Sequence, residues 1–159
     1  MIKIKLIFCH HYFKLTDPAS WLSWIIRLKS NCDLNHIEWS VKNKGVEEVT
    51  GATSRGVITR TYENFIKERP YMHAVTYEIE ITKREYKNLL DGKGKKYDFS
   101  SIGWHGIQWI TKKWYGEKGI AAKGKLNCSE YIAAALNETL NMENPHMATS
   151  ADILEAVLK

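Results

Sequence analysis

The residue whose setting promises chemistry is Cys128. Asn127-Cys128-Ser129-Glu130 places a helix-capping residue with a glutamate three positions on, the pattern that opens a helix. Ile132, Ala135, Leu136 and Leu140 then recur at helical spacing behind it. Cys128 therefore falls at the first helical position. Unpaired amides and the positive end of the helix dipole favour a thiolate there, lowering the thiol from its usual pKa of ~8.5. A thiolate so placed can attack an amide or ester carbonyl, and the same amides can hold the developing oxyanion. A free cysteine also packs well as a small hydrophobe, and position alone leaves both readings open.

A nucleophile needs a base, and the chain has six histidines. His36 is the best placed. It opens the alternating run His36-Ile-Glu-Trp-Ser-Val-Lys42, with Ile37, Trp39 and Val41 on one face and His36, Glu38 and Ser40 on the other. His73, which opens another strand-like run, is second. His10, His11, His105 and His146 are more simply surface or packing residues, and His146 sits in a proline-containing loop. The imidazole also needs an acceptor on its second nitrogen. Glu38 shares its face two residues along the strand, and Glu48 lies beyond the turn at Gly45 on what should be the neighbouring strand.

The elements that must position these groups follow from periodicity. Ile2, Ile4, Leu6 and Phe8 alternate with Lys3 and Lys5 as a strand. Asp17-Pro18 starts a helix continued by Trp21, Trp24, Ile25 and Leu28. Asn43-Lys44-Gly45 is a hairpin turn, and short strands follow over Val46–Thr50 and Val57–Thr61. His73–Ile81 is the clearest strand. Thr82-Lys-Arg-Glu85 is a capping box for a helix ending at Gly92. Asp98 through about Trp114 reads as helical, residues 116–126 as a Gly/Lys loop, and Ser150 as the cap of a last helix through Leu158. The sum is α+β, an antiparallel sheet packed with helices. No repeat or linker divides the chain, so residues 1–159 read as one domain.

Composition narrows the class. The chain is 44% apolar with 6 Trp, 8 Tyr and 4 Phe, which excludes disorder and permits a core without staples. It has no apolar run of membrane-spanning length and no signal-peptide pattern. A soluble, cytoplasmic protein is expected. Three irregularly spaced cysteines, Cys9, Cys32 and Cys128, argue against a disulfide framework. The net charge of +5 is uneven, because residues 83–125 hold 11 Lys/Arg against 4 Asp/Glu. That segment either attracts an anionic partner or is a solvated face.

Taken in order, His36-Ile-Glu-Trp, Val46-Glu-Glu-Val-Thr-Gly with Gly56-Val57 following, Tyr97-Asp98-Phe99, Asn127-Cys-Ser-Glu-Tyr131 and Ser-Ala-Asp-Ile-Leu154 resemble the circularly permuted NlpC-like cysteine hydrolases of the YiiX type. These are relatives of papain and of the lecithin–retinol acyltransferase group. The resemblance runs from about Ile4 to Leu154 and rests on the order and spacing of short motifs. It implies a permuted papain-like fold with the nucleophile at a helix N-terminus, Cys128 as nucleophile and His36 as base. It gives Glu48 the third, orienting place, from its twelve-residue offset to His36. Tyr97 and Ser129 are assigned to the substrate side of the pocket. Two departures bear on the pocket's shape: Asn35 stands where the family often has Ser, and Glu38 and Trp39 stand where it often has small residues.

Strand geometry favours Glu48 over Glu38 as the acceptor, since a partner on a neighbouring strand can meet the ring side-on. A residue two along the same strand has its Cβ ~6–7 Å away. Lys93, Lys95, Lys96, Lys123 and Lys125 are expected to flank the pocket. The function implied is hydrolysis of a cell-wall peptide, another amide or isopeptide, or an ester, with an anionic substrate favoured if the lysines serve the site. The chemistry requires no cofactor or metal. A lipid acyl hydrolase or acyltransferase of the same fold, and an inactive binding domain, are the alternatives. A zinc site drawn from Cys9, His10, His11, Cys32 and His36 lacks a Cys-x-x-Cys pair. Nucleic-acid binding would rest on the basic segment with Trp104, Trp109, Trp114 and Tyr115, whose spacing fits a helix core better. No phosphate-binding glycine loop is present.

Overall fold

Alternating apolar residues give strand β1 (Ile2–Cys9), and the run opened by His36 gives β2 (His36–Asn43). They belong to a computed structural model that describes residues 1–10, 24, 27, 32–53, 55–68, 75–97 and 125–159, with the backbone alone of Lys125 and Leu126. Strands β3 (Val46–Thr53), β4 (Gly56–Thr61) and β5 (Val75–Ile81) complete an antiparallel sheet in the order β4-β3-β2-β1-β5. The β2–β3 turn is of the expected kind, with positive φ at both Lys44 (47°) and Gly45 (87°), which matches the twist of the strands it joins. Strands β3 and β4 run further toward each other than their apolar residues suggested, pairing through Thr53↔Gly56.

Helix α1 (Tyr62–Glu68) follows β4, and α2 (Lys83–Asp91) follows β5. The short strands β6 (Lys96–Tyr97) and β7 (Lys125–Leu126) pair in parallel. Helix α3 (Cys128–Ala135), the single turn α4 (Asn137–Leu140), a 3-10 turn (Pro145–Met147) and α5 (Ser150–Leu158) close the chain. The architecture is α+β. Of the expected helices, those over 17–28 and 98–114 lie outside the described residues apart from Trp24 and Arg27, which are helical. His73 and His105 lie outside them as well. No helix among the described residues is long and apolar enough to cross a membrane.

One face of the sheet carries the main core: Ile4, Leu6, Phe8, Ile37, Trp39 and Ile81 pack against Leu89 of α2, Tyr131 and Ile132 of α3, and Ile153 of α5. Each such fully buried side chain contributes roughly 1.5–3 kcal/mol. On the opposite face, among the described residues, Ile7 and Val49 pack under Phe65 of α1, beside the polar side chains that alternate with the core positions.

The helix ends explain themselves locally. Thr82 and Glu85 form the expected reciprocal box. The last helix is capped by Thr149 with Asp152, one residue earlier than Ser150, because Thr149 is the residue that stays extended. The helix opened by Asn127 ends at Ala135 and does not reach Leu140. Leu140 instead closes α4, which Asn141 stops in the left-handed conformation. Gly92 ends α2 at an ordinary φ of −76°. Its lack of a side chain serves packing: a Cβ there would lie 2.2 Å from the Tyr131 ring.

Candidate active site

Helix α3 starts as its sequence requires. The Asn127 side chain accepts the Glu130 N–H at 2.8 Å and the Ser129 hydroxyl at 3.1 Å, leaving Cys128 at the first helical position. The helix is anchored one turn on by Tyr131. Its hydroxyl accepts from Trp39 Nε1 at 3.1 Å and donates to the Leu89 carbonyl, tying α3 to β2 and α2. Burial raises the Tyr131 pKa, so the hydroxyl keeps its proton for that bond. Cys128 is buried, 7% exposed as a residue. Burial opposes its ionisation. The charge of the His36 ring, a hydrogen bond to that ring and the N–H groups of Ile37 and Ser129 outweigh this, and the thiol is held below its ordinary value.

His36 is the first residue of β2, so its ring sits at the strand's end, where it meets the start of α3. The orienting group is Glu38, whose Oε1 lies 2.8 Å from His36 Nε2. That leaves Nδ1 as the nitrogen for the thiol, the reverse of the Ser-His-Asp arrangement, in which the carboxylate holds Nδ1. Glu38 is fully buried. Arg60 Nη2, from β4, donates to both of its oxygens at 2.9 and 2.8 Å. The carboxylate has room because the residue beside it is glycine: a Cβ on Gly51 would come within 2.4 Å of Glu38 Cγ and 2.6 Å of Cδ.

The expectation that Glu48 orients His36 is corrected by the strand register. Glu48 pairs with Val41, and Trp39 pairs with Thr50. Cross-strand partners share a face, so Glu48 lies on the Ile37–Trp39 face while His36 and Glu38 point to the other. Glu48 instead accepts a long bond from Asn43 Nδ2 at 3.4 Å. The ~6–7 Å between Cβ atoms two apart on a strand does not keep the Glu38 carboxylate from the ring. A glutamate side chain reaches back along its own strand when a buried cation and a neighbouring glycine favour that course.

Tyr97 pairs with Leu126 across the parallel β6–β7 bridge, two residues before Cys128, and is half-buried against the core. Ser129 turns its hydroxyl to the cap and gives its N–H to the thiol. Lys93, Lys95 and Lys96 are exposed in the turn that leads into Tyr97. Lys123 and the side chain of Lys125 lie outside the described residues. Cys9 is the cross-strand partner of His36, and Cys32 donates to the Leu34 carbonyl at 3.6 Å. His146 meets Glu130 at 3.4 Å. Among the described residues no three His, Cys, Asp or Glu side chains converge as a metal-binding group. Arg60 and Gly51 escaped the sequence reading. A glycine directly after the strand-like run Val46–Thr50, where the structure continues the strand to Thr53, is the signal for a close approach there. Comparison with protein-family models, with curated proteins and with solved structures finds no match to this chain.

Proposed function

We propose that the chain is a cysteine-dependent hydrolase of an amide or ester, built on the permuted papain-like plan that its sequence resembles. The observation that carries this reading is a thiol at a helix N-terminus, hydrogen-bonded to an imidazole whose other nitrogen is held by a buried carboxylate. His36 Nδ1 takes the thiol proton, and the Cys128 sulfur attacks the carbonyl carbon. The Cys128 backbone N–H stabilises the oxyanion of the tetrahedral adduct. Collapse expels the amine or alcohol, to which the His36 imidazolium returns the proton, and leaves a thioester on Cys128. A water molecule deprotonated by His36 then hydrolyses that thioester. Glu38 stays ionised throughout and keeps the ring in register. Tyr97 borders the acyl side of the site, and Lys93, Lys95 and Lys96 bias it toward anionic substrates.

Iodoacetamide labelling, resolved by peptide to separate Cys128 from Cys9 and Cys32, tests the reading. Cys128 should label faster than a free model thiol from pH 5 to 8, and His36→Ala should remove the advantage while Cys128→Ser removes the modified peptide. Labelling no faster than the model thiol across that range would overturn it.

A further inference from the structure

We propose that Arg60 is a positioning residue of the thiol site: from β4 it holds the Glu38 carboxylate over the space left by Gly51, and so fixes the His36 ring against Cys128. The inference deepens the reading of Cys128 and His36 as the reacting pair and rests on it.

Among the described residues, the geometry assigns Arg60 no other outlet of equal strength. Its guanidinium is buried, with Nη2 bridging both Glu38 oxygens. It also lies 5.1 Å above the Phe65 ring, a cation–π position that keeps the plane of the group fixed. Its Nε meets Glu68 at 3.2 Å, but that carboxylate is 46% exposed and its pull is screened by water. Nη1 has no hydrogen-bond partner among the described residues. A buried arginine with this set of contacts is committed to Glu38. Gly51 has the complementary part, because any side chain there would displace the carboxylate from the line between Arg60 and His36.

Charge counting says what this does for the sulfur. Among the described residues, the groups in question are Cys128 from α3, His36 and Glu38 from β2, Arg60 from β4 and Cys9 from β1. Glu68 of α1 stands outside on Arg60, and Glu130 of α3 is engaged by His146 of the 3-10 turn. With His36 protonated, two buried cations face one carboxylate, and loss of the thiol proton brings the set to neutrality. Without Arg60 the same loss leaves a buried net negative charge, which a low-dielectric site resists. Arg60 therefore favours the thiolate although it touches neither sulfur nor substrate.

The test compares the pH dependence of Cys128 labelling in the wild type, Arg60→Met, Arg60→Lys and Gly51→Ala. Arg60→Met should move the acid limb to higher pH and lower the rate at pH 6 by about tenfold or more, the change that one pKa unit gives. Arg60→Lys should retain more of the wild-type profile, and Gly51→Ala should shift it upward with Arg60 still in place. Because Arg60→Met leaves Glu38 buried without its cation, which works against folding, Glu38→Gln and Glu38→Gln/Arg60→Met complete a cycle. The double variant buries no unpaired charge. Positioning of the ring by Arg60 runs through Glu38, so Arg60→Met should cost clearly less in the Glu38→Gln background than in the wild type, the remainder being the direct pull of its charge, whereas an independent structural role would give additive losses. The ring-nitrogen NMR signals of His36 report the same thing without reactivity. The Nε2 proton facing Glu38 should exchange slowly in the wild type and quickly in Gly51→Ala. Slow labelling of the wild type overturns the hydrolase reading alone. A wild-type pH profile and a slow Nε2 proton in both Arg60→Met and Gly51→Ala overturn the role of Arg60.

Discussion

Two glutamates ten residues apart give the sharpest contrast this structure offers. Glu38→Gln removes a fully buried charge that lies 2.8 Å from His36 and 2.8–2.9 Å from Arg60. Breaking one side of a buried ion pair costs ~3–5 kcal/mol. The lower end applies here, because Glu68 still meets Arg60 Nε at 3.2 Å and the amide oxygen can still accept one bond. A loss of about 3 kcal/mol lowers the melting temperature of a domain this size by about 6–12 °C. The chemical consequence is separate. The new amide N–H₂ can donate to Nε2, which puts the ring proton on Nδ1, the nitrogen that must accept from the thiol. The analogous loss of a carboxylate in a serine triad costs ~10⁴ in turnover, and Cys128 reactivity should fall by between ~10² and ~10⁴. Glu48→Gln touches only an exposed, long bond to Asn43; it should stay within about 0.5 kcal/mol of wild type and react normally. Thermal unfolding and Cys128 labelling of the two variants side by side decide the matter. Equal behaviour of the pair would refute the placement of the orienting carboxylate.

Two further outcomes follow from the packing around α3. Glu85 accepts from Thr82 N and Oγ1 and from Thr139 N and Oγ1 at 2.7–3.0 Å. Burial opposes its ionisation, but those bonds prevail and hold it below its ordinary value of 4.5. Its stabilising effect is thus present above pH 4.5 and lost as pH falls through the depressed folded value. The melting-temperature gap between wild type and Glu85→Gln should therefore shrink from pH 7 to pH 3, and a constant gap would contradict the assignment. Gly92→Ala should destabilise by about 1–3 kcal/mol in urea, through the clash with the Tyr131 ring. The gain of roughly 0.4–1 kcal/mol that Ala brings at an ordinary φ is too small to offset it, and a stabilised variant would mean that the ring is not pinned.

The strands, the Lys44–Gly45 turn and the Thr82 capping box could be read from the chain because each depends on residues close in sequence. Period-two alternation needs only the strand's own side chains, and a capping box needs four consecutive residues. The ends of elements were less legible. Helix α3 stops at Ala135 although Leu136 and Leu140 keep the apolar period, because Glu85 of α2 captures the Thr139 N–H and hydroxyl from a distance of 54 residues. Gly92 stops the helix as the sequence indicates, yet its conformation is open to any residue, and its contact with Tyr131 is a matter of tertiary packing.

The same division runs through the site. Cys128 and His36 stood out because helix capping and strand alternation act locally, and the structure brings the two side chains together. The identity of the orienting carboxylate depended on quantities that sequence offsets do not contain. A hairpin whose turn residues are Lys44 and Gly45 pairs Trp39 with Thr50 and Val41 with Glu48. Writing out that register from the turn alone would have sent Glu48 to the face opposite His36 and set Gly51 beside Glu38. A buried glutamate next to a strand glycine then needs a cation, and β4 offers Arg60 at the matching position opposite Val49. The informative step was therefore from turn to register to face, and each link is a short-range rule applied twice. What no such step yields is the burial of Arg60 under Phe65, which depends on where α1 folds back. That contact makes the guanidinium a fixed partner of Glu38 and couples the start of α3 to the far edge of the sheet.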